Sequence, residues 1–171
     1  VKALSEVINP TGKRVVLLGA GGAARAVAVE MALAGAAHLV IVNRNRVRGK
    51  TVAQLVNDKT PASAEYHPWE ATFAIPETTD IVINATSLGL YPHVDATPDI
   101  DYATLRPTMV VADGIHNPPL TKLLHAARQR GCQTVDGLGM LVNQGVIGIK
   151  YWTGIDVDAS VMRQALLALK L

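Results

Sequence analysis

The sequence predicts an α/β fold, a doubly wound and mainly parallel six-stranded sheet with helices on both faces. Three observations point there. Short apolar runs alternate with helical stretches along the chain. A glycine-rich turn joins the first apolar run to an alanine-rich helix. At 171 residues the chain is long enough for one domain with a full core but not for two.

The predicted elements follow in order. Val1–Val7 is a short lead-in helix closed by the turn Asn9-Pro10-Thr11-Gly12. Six strands are expected at Arg14–Leu18, His38–Val42, Ala62–Tyr66, Ile81–Asn84, Met109–Ala112 and Gln133–Val135. Ala23–Ala34 is apolar nearly all round apart from Arg25 and Glu30, which suits a helix packed deeply on a sheet, and Gly35 stops it. Further helices are expected over Arg46–Asn57 and from Pro119 to Arg130, with Pro118-Pro119 at the start of the latter and Gly131 at its end. Leu138–Trp152 and Ala159–Leu169 form two C-terminal helices around the turn Thr153-Gly154-Ile155-Asp156. They are expected to pack on the sheet or on another domain.

Composition narrows the function classes. Sixteen Lys and Arg against fourteen Asp and Glu leave a net charge of +2, without the broad basic surface that nucleic-acid binding needs. The single cysteine, Cys132, excludes an internal disulfide and a multi-cysteine metal site and fits a reducing cytoplasm; it reads as a small buried hydrophobe in a strand. No segment has the ~18 uninterrupted apolar residues of a membrane span, and no signal-like stretch opens the chain. A soluble, cytoplasmic protein is expected. The start at Val1 suggests a piece of a longer polypeptide.

The chemistry concentrates in four segments. Gly19-Ala20-Gly21-Gly22-Ala23-Ala24 lies between Val15–Leu18 and the first long helix, where a strand-to-helix turn of the Rossmann-like type cradles a pyrophosphate. The second strand runs into Asn43-Arg44-Asn45-Arg46-Val47-Arg48-Gly49-Lys50, and no carboxylate occurs between Glu30 and Asp58. A carboxylate at this place would hold the ribose hydroxyls of NAD, whereas arginines match a 2′-phosphate, so NADP is favoured over NAD. Arg44 and Arg48 read as phosphate ligands, Arg46 and Lys50 as the wet face of a helix. The turn Asn84–Leu90 and the segments Asp113–Pro118 and Asp136–Gln144 also leave the carboxyl edge of the sheet, where ligands of open α/β sheets bind. Asn84, Thr86 and Ser87 are candidates for ribose or nicotinamide contact, and are also ordinary turn residues.

In order and spacing, GAGGAAR (Gly19–Arg25), Asn43-Arg44 with Arg48, NATSLG (Asn84–Gly89), Asn117-Pro118 after Asp113, and DGLGMLVNQ (Asp136–Gln144) resemble the C-terminal, cofactor-binding domain of shikimate dehydrogenases, including the quinate/shikimate branch. The resemblance covers nearly the whole chain. It implies that Gly19–Ala24 hold the pyrophosphate, that Asn43, Arg44 and Arg48 hold the 2′-phosphate of NADP, and that Thr86, Ser87, Gly114 and Gly137 lie along the nicotinamide half. Met140 and Leu141 would pack beside the nicotinamide, and Gln144 would reach a substrate hydroxyl. Asn45, Ala85, Leu88 and Ile115 complete the expected cofactor side. His116 stands where the family usually has a tyrosine near the substrate carboxylate; a histidine there can donate a hydrogen bond but brings pH dependence, or it is an incidental loop residue.

The resemblance further implies an oxidoreductase reducing 3-dehydroshikimate to shikimate, in the route to aromatic amino acids. Its catalytic Lys and Asp would come from an N-terminal substrate domain that this chain does not contain. No catalytic residue is assigned here, and no metal. The chain itself is expected to bind NADP(H) with little or no turnover. A quinate or aminoshikimate dehydrogenase, or a non-catalytic NADP(H)-sensing module, are the alternatives. The oligomeric state is left open.

Overall fold

The computed structural model describes residues 1–168, so Leu169 in the last predicted helix lies outside the described residues. In chain order the elements are α1 (Lys2–Ser5), β1 (Arg14–Leu18), α2 (Gly22–Leu33), β2 (His38–Asn43), α3 (Arg46–Lys59), β3 (Ser63–Pro68), β4 (Phe73–Ala74), β5 (Ile81–Asn84), β6 (Ile100–Asp101), β7 (Val110–Asp113), α4 (Lys122–Gln129), β8 (Gln133–Val135), α5 (Gly137–Thr153) and α6 (Ala159–Ala168). Six strands form one parallel sheet in the order β3-β2-β1-β5-β7-β8. The strand order reverses between β1 and β5, which opens a crevice at their carboxyl ends.

The central strands are apolar throughout because both faces are covered. Val15 and Leu17 of β1 join one buried cluster with Ala24, Ala28 and Met31 of α2 and Val52 and Val56 of α3. Val16 and Leu18 face the opposite cluster with Leu123, Leu124 and Ala127 of α4. The alanines of α2 let it lie close to the sheet. Gly49 does the same for α3, since a Cβ there would run into the ring of Tyr66 on the edge strand β3. Gly35 and Gly131 follow the ends of α2 and α4 with φ of +92° and +78°, as their expected stop role requires. At the far end, Asp136 caps α5 by accepting from the Gly139 N–H (3.2 Å), and its carboxylate also takes the guanidinium of Arg163 on α6 (2.7 Å).

Two local expectations need correction, and one pair of strands has no counterpart among the expected elements. The helix expected from Pro119 starts at Lys122, because Thr121 caps it by accepting from the Leu124 N–H (3.3 Å), and the two prolines stay in the preceding turn. Cys132 is buried but lies just before β8 instead of within a strand, with its thiol on the Arg106 carbonyl (3.1 Å). The two-residue strands β4 and β6, which pair with each other in a small parallel sheet, are too short to show any apolar period. Among the described residues no helix is long and apolar enough to cross a membrane.

Candidate functional site

The turn after β1 is shaped for close approach. Gly19 has φ +111° and donates its N–H to the Val42 carbonyl (2.8 Å), and a Cβ on it would stand 3.0 Å from the Ala85 carbonyl oxygen. Gly21 precedes α2 and no side chain caps that helix. The N–H groups of the exposed Gly22 and Ala23 are therefore open at its positive end. By contrast α3, α4 and α5 are capped by Asn45, Thr121 and Asp136. Cβ atoms at Gly21 and Gly22 would project into open space. Ala24 is wholly buried and packs the start of the helix onto the sheet.

Beside this turn, Arg44 and Arg48 line a cleft with Gly19, Ala20, Gly21, Asn43, Ala85, Thr86, Ser87 and Leu88. Both arginines are exposed, no carboxylate lines the cleft, and among the described residues neither takes part in an ion pair. The Asn43 amide donates to the Asn45 carbonyl (2.9 Å), while the Asn45 side chain accepts from the Arg48 N–H (3.0 Å). Asn45 thus orients the arginine loop through its cap, and its carboxamide oxygen is committed there. Arg46 and Lys50 are exposed and lie outside this cleft, in keeping with a solvated helix face. Trp69, just past β3, lines the cleft as well. Sequence reasoning missed it; an aromatic residue directly after a strand, at the carboxyl edge, was the available signal.

Across the crevice the polar groups serve one another. Asn84 is 0% exposed and Asp113 3%. The Asn84 amide donates to Asp113 Oδ1 (2.9 Å) and the Leu88 carbonyl (3.3 Å), and its oxygen accepts from the N–H (3.1 Å) and hydroxyl (2.7 Å) of Thr86. Both donors and both acceptor positions are in use, so Asn84 shapes the turn and has nothing left for a ligand. Asp113 accepts from Asn84, the Ile115 N–H (3.0 Å) and the Thr121 hydroxyl (2.7 Å). Burial pushes its carboxyl above the ordinary value, against the pull of these three bonds. Ile115 is buried, and a Cβ on Gly137 would collide with the Ile115 carbonyl. These contacts hold Asn84, Ile115 and Gly137 in the frame of the loops, and Asn84 also lines the pocket beside them.

A mostly apolar pocket next to this network is lined by Ala23, Val27, Ala85, Thr86, Gly114 and Met140, with Val1 and Leu4 closing one side. Met140 also borders a neighbouring groove that holds Gln144 and Asn143 of α5 and Lys2 of α1. Ser87 is exposed at the cleft. His116 and Leu141 are half-buried and line neither the arginine cleft nor the apolar pocket. Among the described residues no group of three or more His, Cys, Asp or Glu could hold a metal ion.

Residues 2–94 match the family model described as Shikimate / quinate 5-dehydrogenase, and residues 137–167 match that of the Shikimate 5'-dehydrogenase C-terminal domain. The chain is 41% identical over 170 residues to the Shikimate dehydrogenase (NADP(+)) of Desulforamulus reducens, covering 97% of this chain and 58% of that protein. It therefore spans less than two thirds of that relative. Among solved structures, it is 54% identical to the ligand-free 5-ketofructose reductase of Gluconobacter sp. strain CHM43, with a TM-score of 0.93 over 98% of this chain and 60% of that one. A shikimate dehydrogenase in complex with NADP+ is 36% identical, with a TM-score of 0.85 over 98% and 58%.

Proposed function

The chain belongs to the shikimate / quinate 5-dehydrogenase family, and from that premise we propose that it is the NADP-binding domain of an oxidoreductase that interconverts 3-dehydroshikimate and shikimate. The observation that carries the cofactor is the pair Arg44 and Arg48, free of carboxylates, beside the uncapped start of α2. The donor set fits the group. Open N–H groups at a helix start suit a pyrophosphate, and guanidinium groups suit a 2′-phosphate. NADPH, when bound, supplies a hydride to the substrate carbonyl.

The chain's own residues bind and orient. Gly19 and Gly21 let the backbone come close to the pyrophosphate; Asn43, Arg44 and Arg48 take the adenosine end; Thr86, Ser87 and Gly114 lead toward the apolar pocket. Met140 bounds the place of the nicotinamide, where apolar walls exclude water, and Gln144 reaches the substrate from α5. The proton donor lies in the part of the relatives' length that this chain does not span. Tyr151 and Trp152, each 84% exposed at the end of α5, form part of the surface toward that part. This chain by itself binds NADP(H) and turns over little. Titration calorimetry with NADP and NAD tests the cofactor, and equal affinity for the two sinks it.

A second reading concerns the substrate. The 54% identity to a 5-ketofructose reductase exceeds the 41% shared with the Desulforamulus reducens enzyme, and His116 stands where shikimate dehydrogenases usually carry a tyrosine. The first makes a keto-sugar the alternative substrate, and the second departs from the shikimate pattern without naming another. Assaying a chain of the relatives' full length with 3-dehydroshikimate, quinate and 5-ketofructose separates the readings. Turnover of 5-ketofructose alone overturns the shikimate assignment, and no dehydrogenase activity at all leaves an NADP(H)-sensing module.

A further inference from the structure

The one aromatic side chain at the arginine cleft is Trp69. Strand β3 pairs with β2 in the register Asn43↔Pro68, so Trp69 falls beside Arg44 at the carboxyl edge. Its N–H donates to the Asn43 carbonyl (3.3 Å), and its indole Nε1–H donates to the Asp99 carbonyl (2.9 Å). Asp99 is itself held from the start of β4: its carbonyl accepts from the Phe73 N–H (3.0 Å) and its carboxylate from the Thr72 hydroxyl (2.8 Å). The small sheet of β4 and β6 starts at this point. It acts as a brace that ties the indole at its nitrogen while the ring leans on the core cluster of Val16, Leu18 and Phe73.

An indole fixed at both ends of its attachment, packed on the core and still partly exposed at a ligand cleft, is a preorganised flat surface. The rest of the cleft is made of glycines, two alanines, Leu88, small polar residues and two guanidinium groups, so the indole is its one aromatic plane. From the placement of this ring we propose that Trp69 is the adenine platform of the site: the base of the bound dinucleotide stacks on the indole while Arg44 and Arg48 take the adjoining phosphate. The proposal rests on the NADP reading above and assigns the specific residue that holds the base. The segments that carry β4 and β6, on either side of β5, thereby gain a purpose, since they anchor the platform from outside the main sheet.

The probe is 2′,5′-ADP, which carries the adenine and the 2′-phosphate without the nicotinamide. The chain has two tryptophans, Trp69 and the exposed Trp152 at the end of α5, so fluorescence can be assigned by substitution. In W152F, emission then comes from Trp69 alone and is quenched on titration with 2′,5′-ADP; in W69F the remaining emission does not respond. By calorimetry W69A and W69L bind 2′,5′-ADP about tenfold more weakly, the scale of one base stacked on an aromatic ring. W69F, which keeps an aromatic plane, stays within about threefold of the parent. Loss of a purely structural indole would not be rescued by Phe over Leu in affinity alone. Equal affinity of W69L, W69F and parent, with native melting curves, overturns the platform and leaves the NADP reading standing. Failure of the unaltered chain to bind either 2′,5′-ADP or NADP overturns both.

Discussion

Gly21 and Gly137 both sit at the start of a long helix, yet they answer to different neighbours. Gly21 precedes α2, where no side chain caps the helix and a Cβ would meet nothing within 4 Å. Gly137 opens α5, which Asp136 caps, and a Cβ there would enter the Ile115 carbonyl. The same contrast runs through the two sides of the crevice. Among the described residues the adenosine side leaves backbone donors and two guanidinium groups without ion-pair or capping partners, while the opposite side closes Asn84, Asp113, Thr86 and Thr121 into bonds with each other. Unpartnered donors at a cleft are what a ligand can use; saturated, buried ones hold the loops that frame it.

Substitutions on the two sides should therefore act differently, one on stability and the other on binding. The largest effect is expected for Asp113→Ala. It strands the Asn84 amide, the Ile115 N–H and the Thr121 hydroxyl in a buried site, and should cost about 4 kcal/mol in urea unfolding, given 1–3 kcal/mol for each unmet group. Gly137→Ala should cost about 3 kcal/mol by the same measurement, through overpacking against backbone that cannot rotate aside. A near-neutral result would show that the two loops have room to part. Gly21→Val should behave in the opposite way. It should fold within about 1 kcal/mol of the parent, yet bind NADP at least about a hundredfold more weakly, ~2.7 kcal/mol by calorimetry. Normal binding by that variant would move the phosphate site away from this turn.

Arg44→Ala should weaken NADP by about 1.5–3 kcal/mol and leave NAD almost unchanged, the usual range for hydrogen bonds to a charged group. Equal losses for both cofactors would remove Arg44 from the 2′-phosphate. The smallest effect concerns pH. Burial raises the Asp113 carboxyl in the folded protein above the ordinary 3.8. The folded state then holds its proton more tightly than the unfolded state, so this group favours folding most below 3.8. That contribution is lost as pH rises from there through the raised value. Asp113→Asn should flatten this part of the stability curve, and an unchanged slope in chemical denaturation across the carboxyl range would show that Asp113 is not its source.

Much of this molecule is legible in its sequence. Runs such as Val15–Leu18 and Ile81–Ile83 are buried on both faces and so carry an uninterrupted apolar signal, and the helices between them dictate a parallel sheet. The arginine loop was legible because an absence of carboxylates over a long stretch is itself a pattern. The brace of β4 and β6 was not, since two residues have no period. The start of α4 was misplaced because Pro118-Pro119 is as good a helix opening by sequence as Thr121 is in space. Trp69 escaped notice because its importance comes from Asp99, thirty positions along the chain.

By itself the sequence determined the strand order's raw material, the phosphate-shaped turn and the cations beside it, because each depends on residues close along the chain. Only the tertiary structure decided which polar groups face a ligand and which face each other. Asn84 and Ser87 stand three positions apart in one turn, but Asn84 is closed off by Asp113, twenty-nine residues away on the next strand, and Ser87 stays open to the cleft. A hydrogen bond between distant segments needs the sheet to bring them together, and no local pattern records whether it will form.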